Sequence, residues 1–70
     1  MKEYITNTVF ELRRIMHITQ EEFASEVGVS RQTVIAIEKG NYIPSLLLAM
    51  KIARFFKRSV DEVFTYSYEK

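Results

Sequence analysis

The sequence predicts an all-α fold of five helices, completed by a short two-stranded antiparallel β ribbon made from the two ends of the chain. Three observations predict it. Apolar residues recur at spacings of three and four, helix start and stop signals divide that pattern into five segments, and the last residues change to a period of two. No shift in composition marks a linker among the 70 residues. We therefore expect residues 1–70 to form a single domain around one small core.

Hydroxyl side chains mark the predicted helix starts, because they accept a hydrogen bond from a free backbone N–H of the first turn. At the first two starts, Thr8 and Thr19, a glutamate follows three residues later and completes the spacing of a capping box. Gly28 and Gly40 mark helix ends, and Pro44 prevents helix continuation. The predicted helices lie at about 9–16, 20–26, 31–38, 46–56 and 60–63, the last three of them capped by Ser30, Ser45 and Ser59.

The C-terminal segment at about 64–69 has the pattern of a half-buried strand. Phe64, Tyr66 and Tyr68 alternate there with polar residues. A strand needs a partner, and the other candidate segment is 2–6 at the opposite end of the chain. We predict an antiparallel ribbon between the two ends, with strand exchange between two subunits as the alternative.

The composition excludes several classes of protein. With no cysteine and one histidine, the chain has neither a disulfide framework nor a zinc cluster, and we expect no cofactor. His17 has no partner at catalytic spacing, which excludes an enzyme. The N-terminal residues lack an apolar signal segment, and no apolar stretch is long enough to span a membrane. These observations predict a cytoplasmic, nucleoid-associated protein.

Charge is unevenly distributed along the chain, although the net charge is only +1. The middle segment, residues 28–58, is basic, whereas both flanking segments are acidic. A basic segment suits a surface that faces phosphates; the alternative is that several of these cations only solvate one helix. The cations of the middle segment are Arg31, Lys39, Lys51, Arg54, Lys57 and Arg58, against the single carboxylate of Glu38.

The second and third predicted helices form a helix-turn-helix, a unit whose second helix can enter the major groove of DNA. In that helix Val34 and Ile37 form the inward apolar stripe. Arginine can donate two hydrogen bonds to guanine, glutamine can bridge the edge of adenine, and an apolar side chain can contact a thymine methyl group. The predicted base-reading residues are those left facing outward, Arg31, Gln32, Ile35 and Ala36.

Residues 19–56, TQEEFASEVGVSRQTVIAIEKGNYIPSLLLAMKIARFF, resemble the phage-repressor and Cro type of helix-turn-helix, also called the xenobiotic-response-element family. The resemblance depends on several features at the family's spacing, which include Thr-Gln-Glu-Glu at the start of the second helix, Ser-Arg-Gln-Thr at the start of the third and Pro-Ser before the fourth. It implies a lambda-repressor-like DNA-binding domain and a repressor of transcription.

The resemblance also implies which side chains contact the DNA backbone. Gln20 is expected to bind a phosphate and to brace Gln32. The other implied phosphate contacts are the hydroxyls at the start of the third helix and the loop after it, namely Ser30, Thr33, Lys39, Asn41 and Tyr42. Arg13 is expected to pair with Glu38 and to hold the first helix against the recognition helix.

Two departures from the family pattern bear on function. Ile35 and Ala36 stand where polar residues are common, and Leu47 stands where a glutamate is frequent, so the fourth helix has excess apolar surface. Because one recognition helix reads only a few base pairs, we expect a homodimer on a palindromic operator. The predicted dimer contact is Phe55, Lys57, Val60 and Phe64, with filling of the core as the alternative role of the aromatic residues.

A protein-binding function is the alternative to DNA binding. Antitoxins and adaptor subunits use the same fold, and a surface that includes Leu47, Phe55 and Tyr66 could hold a protein partner. The two functions differ in a measurable way, because binding to duplex DNA falls steeply as the salt concentration rises.

Overall fold

A computed structural model describes residues 1–70. It contains five helices and one two-stranded antiparallel sheet, as the sequence predicted. None of the helices combines the length and the apolar character needed to cross a membrane. The elements are, in chain order, β1 (Lys2–Asn7), α1 (Val9–Ile15), α2 (Gln20–Val27), α3 (Arg31–Glu38), α4 (Leu46–Phe55), α5 (Val60–Val63) and β2 (Phe64–Glu69).

The five helices enclose one apolar core, and no polar or charged residue is buried in it. Phe23 of α2 is at its centre and is fully buried. The ring of Phe56 stacks on Phe23 at 5.2 Å, and that of Phe55 meets Phe23 edge-on at 5.3 Å. Aromatic contacts of this kind add to the stabilisation from burial. The core therefore fixes α2, the first helix of the helix-turn-helix, against α4.

All four later helix starts have the predicted caps with the predicted geometry. The hydroxyls of Ser30, Ser45 and Ser59 each accept a hydrogen bond from a backbone N–H three residues on. Ser59 also forms a complete capping box with Glu62, which the sequence analysis did not identify. At α2, Thr19 and Glu22 form the predicted box.

The predicted capping box at the start of α1 is wrong. The Thr8 side chain makes no capping hydrogen bond there. The Val9 N–H instead donates to the side-chain oxygen of Asn7 at 3.1 Å. Thr8 has φ of −113° and ψ of 22°, outside the extended conformation that is typical of a capping residue, and its N–H makes a tertiary hydrogen bond to the Val63 carbonyl at 3.0 Å. Three helix ends also differ by one residue from the prediction, since α1 ends at Ile15, α2 at Val27 and α4 at Phe55.

The ribbon pairs the two ends of the same chain, with Lys2 opposite Glu69 and Asn7 opposite Phe64. The predicted half-burial of its aromatic face is wrong beyond Phe64, because Tyr66 and Tyr68 are 55% and 50% exposed. The reason is that α5 is the helix that contacts β2 most closely, so the far end of the ribbon extends past the helical body.

Candidate nucleic-acid interface

The turn between α2 and α3 depends on Gly28. This residue ends α2 in the left-handed conformation, with φ of 78°, which a glycine adopts without strain. The next N–H, of Val29, returns to the Ala24 carbonyl at 3.0 Å, and Ser30 then caps α3. These contacts fix the angle at which α3 leaves α2, and α2 and α3 pack against each other.

The recognition helix α3 has a buried side and an accessible side. Val34 and Ile37 are buried, as predicted, and Arg31 and Gln32 are exposed at its first turn. Ile35 and Ala36, which the sequence analysis expected to face outward, are half-buried. The freely accessible part of α3 is therefore its N-terminal turn, where the polar side chains are.

The two hydroxyls at the start of α3 contact each other. The oxygens of Ser30 and Thr33 are 3.0 Å apart, and the Ser30 oxygen accepts the Thr33 N–H at 3.2 Å. Ser30 is exposed and Thr33 half-buried. This arrangement places two hydroxyl groups at the positive end of the helix dipole, which favours an anion.

An open hollow of about 590 Å³ lies beside the start of α3. It is polar throughout, and its lining includes three of the predicted functional residues. The complete lining is Arg13, Thr19, Gln20, Glu21 and Arg31. The fold thus brings Gln20 and Arg31, which are on different helices, to one surface.

Gln20 is bonded differently from the expectation. It was expected to brace Gln32, but its side-chain amide donates to a carboxylate oxygen of Glu38 at 3.1 Å. A charged acceptor makes a stronger hydrogen bond than a neutral amide does, which favours Glu38 as the partner. One amide hydrogen and the amide oxygen of Gln20 remain for other contacts.

Arg13 and Glu38 form the one ion pair of the protein. The Arg13 guanidinium donates to both carboxylate oxygens of Glu38, at 2.8 and 3.1 Å, and to the Ile18 carbonyl at 3.0 Å. The side chains are only 12% and 5% exposed. With Gln20 as a further donor, Glu38 joins α1, α2 and α3 at a single carboxylate.

The loop after α3 is exposed from Lys39 to Ile43. The N–H groups of Lys39, Gly40 and Asn41 return to carbonyls of α3, so the loop continues directly from the helix end. Gly40 has a φ of 79° and supplies the left-handed residue that this closure needs. The side chains of Lys39, Asn41 and Tyr42 are thereby free to contact a ligand beside α3.

Asn7, which the sequence did not predict as a functional or structural residue, also positions α3. Its side-chain amide donates to the carbonyl of Ile37 at 3.0 Å, while its oxygen accepts the Val9 N–H at the start of α1. The bond to Val9 could have been expected from the sequence, since an asparagine side chain often accepts the N–H two residues on. The bond to Ile37 could not, because it joins residues that only the fold brings together.

The predicted dimer residues lie at the end of α4, in α5 and at the start of β2. Lys57 is exposed, whereas Phe55, Val60 and Phe64 are half-buried and pack against the core. Each of these three therefore contributes to the core and also leaves part of its surface accessible.

Comparison with known proteins places this site in a family. Residues 9–63 match the helix-turn-helix family. An HTH-type transcriptional regulator of Methanocaldococcus jannaschii is 56% identical over 54 residues, which are 77% of this chain and 82% of that protein. The HTH-type transcriptional regulator YgzD of Bacillus subtilis is 53% identical over 58 residues, 83% of this chain and 88% of YgzD. The cryptic phage CTXphi transcriptional repressor RstR of Vibrio cholerae is 32% identical over 62 residues, 89% of this chain and 56% of RstR.

The chain therefore belongs to the Cro/C1-type helix-turn-helix family of DNA-binding transcriptional regulators. Its fold, five helices with a ribbon from the termini, is that of a lambda-repressor-like domain. The predicted family and fold are thus confirmed. Members of the family are regulators and not enzymes, in agreement with the prediction from the sequence.

Proposed function

We propose that α3 enters the major groove of an operator and that Arg31 and Gln32 read bases there. The supporting observation is that both side chains are exposed on the first turn of a helix whose opposite side is buried. Arginine suits guanine and glutamine suits adenine. Ile35 and Ala36 follow one turn later and contact thymine methyl groups with the part of their surface that is accessible.

The backbone contacts in this proposal surround α3. Gln20 binds a phosphate through the amide hydrogen that Glu38 leaves free, and the hydroxyls of Ser30 and Thr33 donate to a second phosphate at the start of α3. Lys39, Asn41 and Tyr42 contact the phosphates beyond the end of the helix. The ion pair of Arg13 and Glu38 contributes by holding α3 in position.

We further propose that the protein is a repressor that binds a palindromic operator as a homodimer through Phe55, Lys57, Val60 and Phe64. Two recognition helices related by a two-fold axis reach half-sites about 34 Å apart, one turn of DNA. The repressor role is supported by the similarity to RstR. The two subunits then block other proteins from the same DNA.

Selection of bound duplexes from a random pool tests the proposal. We expect a palindromic sequence whose affinity falls steeply with salt concentration. Gln32→Ala is expected to reduce discrimination at one position of each half-site by about 1–3 kcal/mol. Lys39→Ala serves as the matched variant, since loss of a phosphate contact weakens binding to all sequences alike. Binding that does not depend on salt, or no enriched sequence, would exclude the proposal.

The dimer is tested separately by light scattering of the free protein and of its complex with the selected duplex. The expected mass is that of two chains per operator. Lys57→Glu, an exposed position, is expected to weaken the dimer without unfolding the chain. One chain per operator with a non-palindromic selected site would contradict the dimer and leave DNA binding intact.

A further inference from the structure

A groove of about 840 Å³ separates the outer side of α4 from α5. Its α4 wall is a single helical stripe, because Leu47, Met50, Lys51 and Arg54 have the spacing i, i+3, i+4 and i+7. We call these four residues the α4 stripe. The groove shares no lining residue with the hollow beside α3, and it ends at Lys57 and Val60, which belong to the proposed dimer contact.

The α4 stripe begins with two large apolar side chains. Leu47 is 71% and Met50 54% exposed. A single exposed leucine is common in soluble proteins. Here, however, the two apolar residues are one helical turn apart and line the same groove, and exposed apolar surface of this kind marks an interaction site. Exposure of this apolar part of the groove to water is unfavourable.

The rest of the groove is cationic. Lys51 and Arg54 continue the stripe, and Lys57 and Arg58 extend the positive charge beyond the end of α4. None of the four cations forms an ion pair, because the single ion pair of the protein joins Arg13 to Glu38. The one carboxylate in the groove lining, that of Glu62, already accepts the Ser59 N–H. On the other side of the stripe, Lys51 and Arg54 also line a smaller hollow with Glu26, and the Lys51 Nζ lies near Gly28. The groove therefore has cations without an ion-pair partner directly beside exposed apolar surface.

These two properties decide between possible occupants. A second copy that used the same stripe would bring its cations against those of the first, which is unfavourable. DNA phosphates would match the cations but would leave Leu47 and Met50 without an apolar partner. An amphipathic helix with acidic residues beside its apolar stripe would cover the apolar surface of the groove and pair with its cations. Amphipathic helices dock in grooves of other proteins in this way.

We propose that the α4 stripe binds an acidic amphipathic helix of a partner protein, on a face that the proposed DNA contact leaves free. Apolar side chains of the partner helix cover Leu47 and Met50, and its carboxylates pair with Lys51 and Arg54. A regulator bound to its operator could in this way contact a second protein while α3 remains in the major groove.

The test uses a fluorescent helical peptide of roughly 18 residues, with leucines on one face and glutamates flanking them. A peptide of the same composition in shuffled order controls for the apolar face. Lys51→Glu with Arg54→Glu is compared with Lys2→Glu with Lys70→Glu, which changes the net charge equally at exposed positions outside the groove. Leu47→Ser tests the apolar contact, and circular dichroism verifies that each variant is folded.

We expect the wild-type protein to bind the amphipathic peptide at least about tenfold more tightly than the shuffled one. Lys51→Glu with Arg54→Glu, and likewise Leu47→Ser, should lose about tenfold in affinity for the amphipathic peptide. The control variant, Lys2→Glu with Lys70→Glu, should lose less than about twofold. The peptide should remain bound when the selected duplex is added.

Three results would overturn the inference. Equal binding of both peptides, or no loss in the stripe variants, would show that the stripe does not recognise this chemistry. If the mass of Lys51→Glu with Arg54→Glu in solution differed from that of the wild type, the face would be assigned to a second copy of the chain. The face would be assigned to DNA if the duplex displaced the peptide and if the variant Lys51→Glu with Arg54→Glu lost as much DNA affinity as Arg31→Ala does. The last two results leave the proposed function of α3 standing.

Discussion

The Arg13 guanidinium donates two hydrogen bonds, of 2.8 and 3.1 Å, to the carboxylate of Glu38, and thereby joins the first helix to the last residue of the recognition helix. Gln20 donates to the same carboxylate. One nearly buried anion thus holds three helices. The orientation of α3 consequently depends on a nearly buried carboxylate whose donors, Arg13 and Gln20, also line the hollow beside Arg31.

Replacement of Arg13 by alanine is expected to destabilise the protein by about 3–5 kcal/mol, because the Glu38 carboxylate would remain largely buried without its cation. Urea denaturation at neutral pH measures the loss. Arg14→Ala is the control, since Arg14 is exposed and makes no ion pair, and its effect should stay within about 0.5 kcal/mol. A small effect of Arg13→Ala would show that the pair contributes little to the fold.

Gly28→Ala and Gly40→Ala are expected to cost similar amounts, about 1–2 kcal/mol each, because both residues have φ near 80°. They differ in their surroundings. A Cβ at position 28 would lie 3.3 Å from the Lys51 Nζ, the movable end of a long side chain, whereas a Cβ at position 40 would meet nothing within 4 Å. Thermal unfolding compares the two. A much larger loss at Gly28 would mean that space, and not backbone conformation, requires glycine in the turn.

Asn7→Ala should destabilise the protein more than Thr8→Ala. Asn7 accepts the Val9 N–H at the start of α1 and donates to the Ile37 carbonyl, so its loss removes two hydrogen bonds and should cost about 1–2 kcal/mol. The Thr8 hydroxyl makes only one long contact, 3.5 Å to the Glu62 carbonyl, and its loss should cost less than about 0.5 kcal/mol. The reverse order in chemical denaturation would restore Thr8 as the cap.

The capping box at the start of α2 should make stability depend on pH. The backbone N–H of Thr19, and then its side chain, hold the pKa of Glu22 below its ordinary value of 4.5. Because the pKa is lower in the folded protein, the carboxylate stabilises the fold above pH 4.5, and this contribution is lost as the pH falls through the lowered value.

Glu22→Gln tests this dependence, since glutamine can still accept the Thr19 N–H without a charge. The difference in unfolding free energy between the wild type and this variant should shrink as the pH is lowered from about 6 to about 3. Glu21→Gln removes an equal charge from the same turn, outside the box, and corrects for the general effect of charge. A difference that stays constant across this range would contradict the assignment.

Local signals in the sequence were sufficient to predict the helices. The serines before α3, α4 and α5, and the Thr19 and Glu22 box, act within a few residues, and each cap has the expected hydrogen bond. The inward stripe of α3 follows from its period alone, because a helix presents residues three and four apart on the same side. For the same reason the exposure of Arg31 and Gln32 could be predicted.

Tertiary structure decided the features that join distant parts of the chain. The Asn7 side chain, and not that of Thr8, accepts the first N–H of α1, while the Thr8 N–H donates to the Val63 carbonyl, a residue that only the fold brings near. Gln20 bonds Glu38 because the fold brings that carboxylate to the start of α2. Tyr66 is exposed because the ribbon extends past the helices, which the alternation of its residues does not reveal. The sequence alone determined which segments are helical and which side of α3 is polar, because those features depend on neighbours in the chain. Packing determined which distant groups form hydrogen bonds and which surfaces remain exposed, because those features depend on neighbours in space.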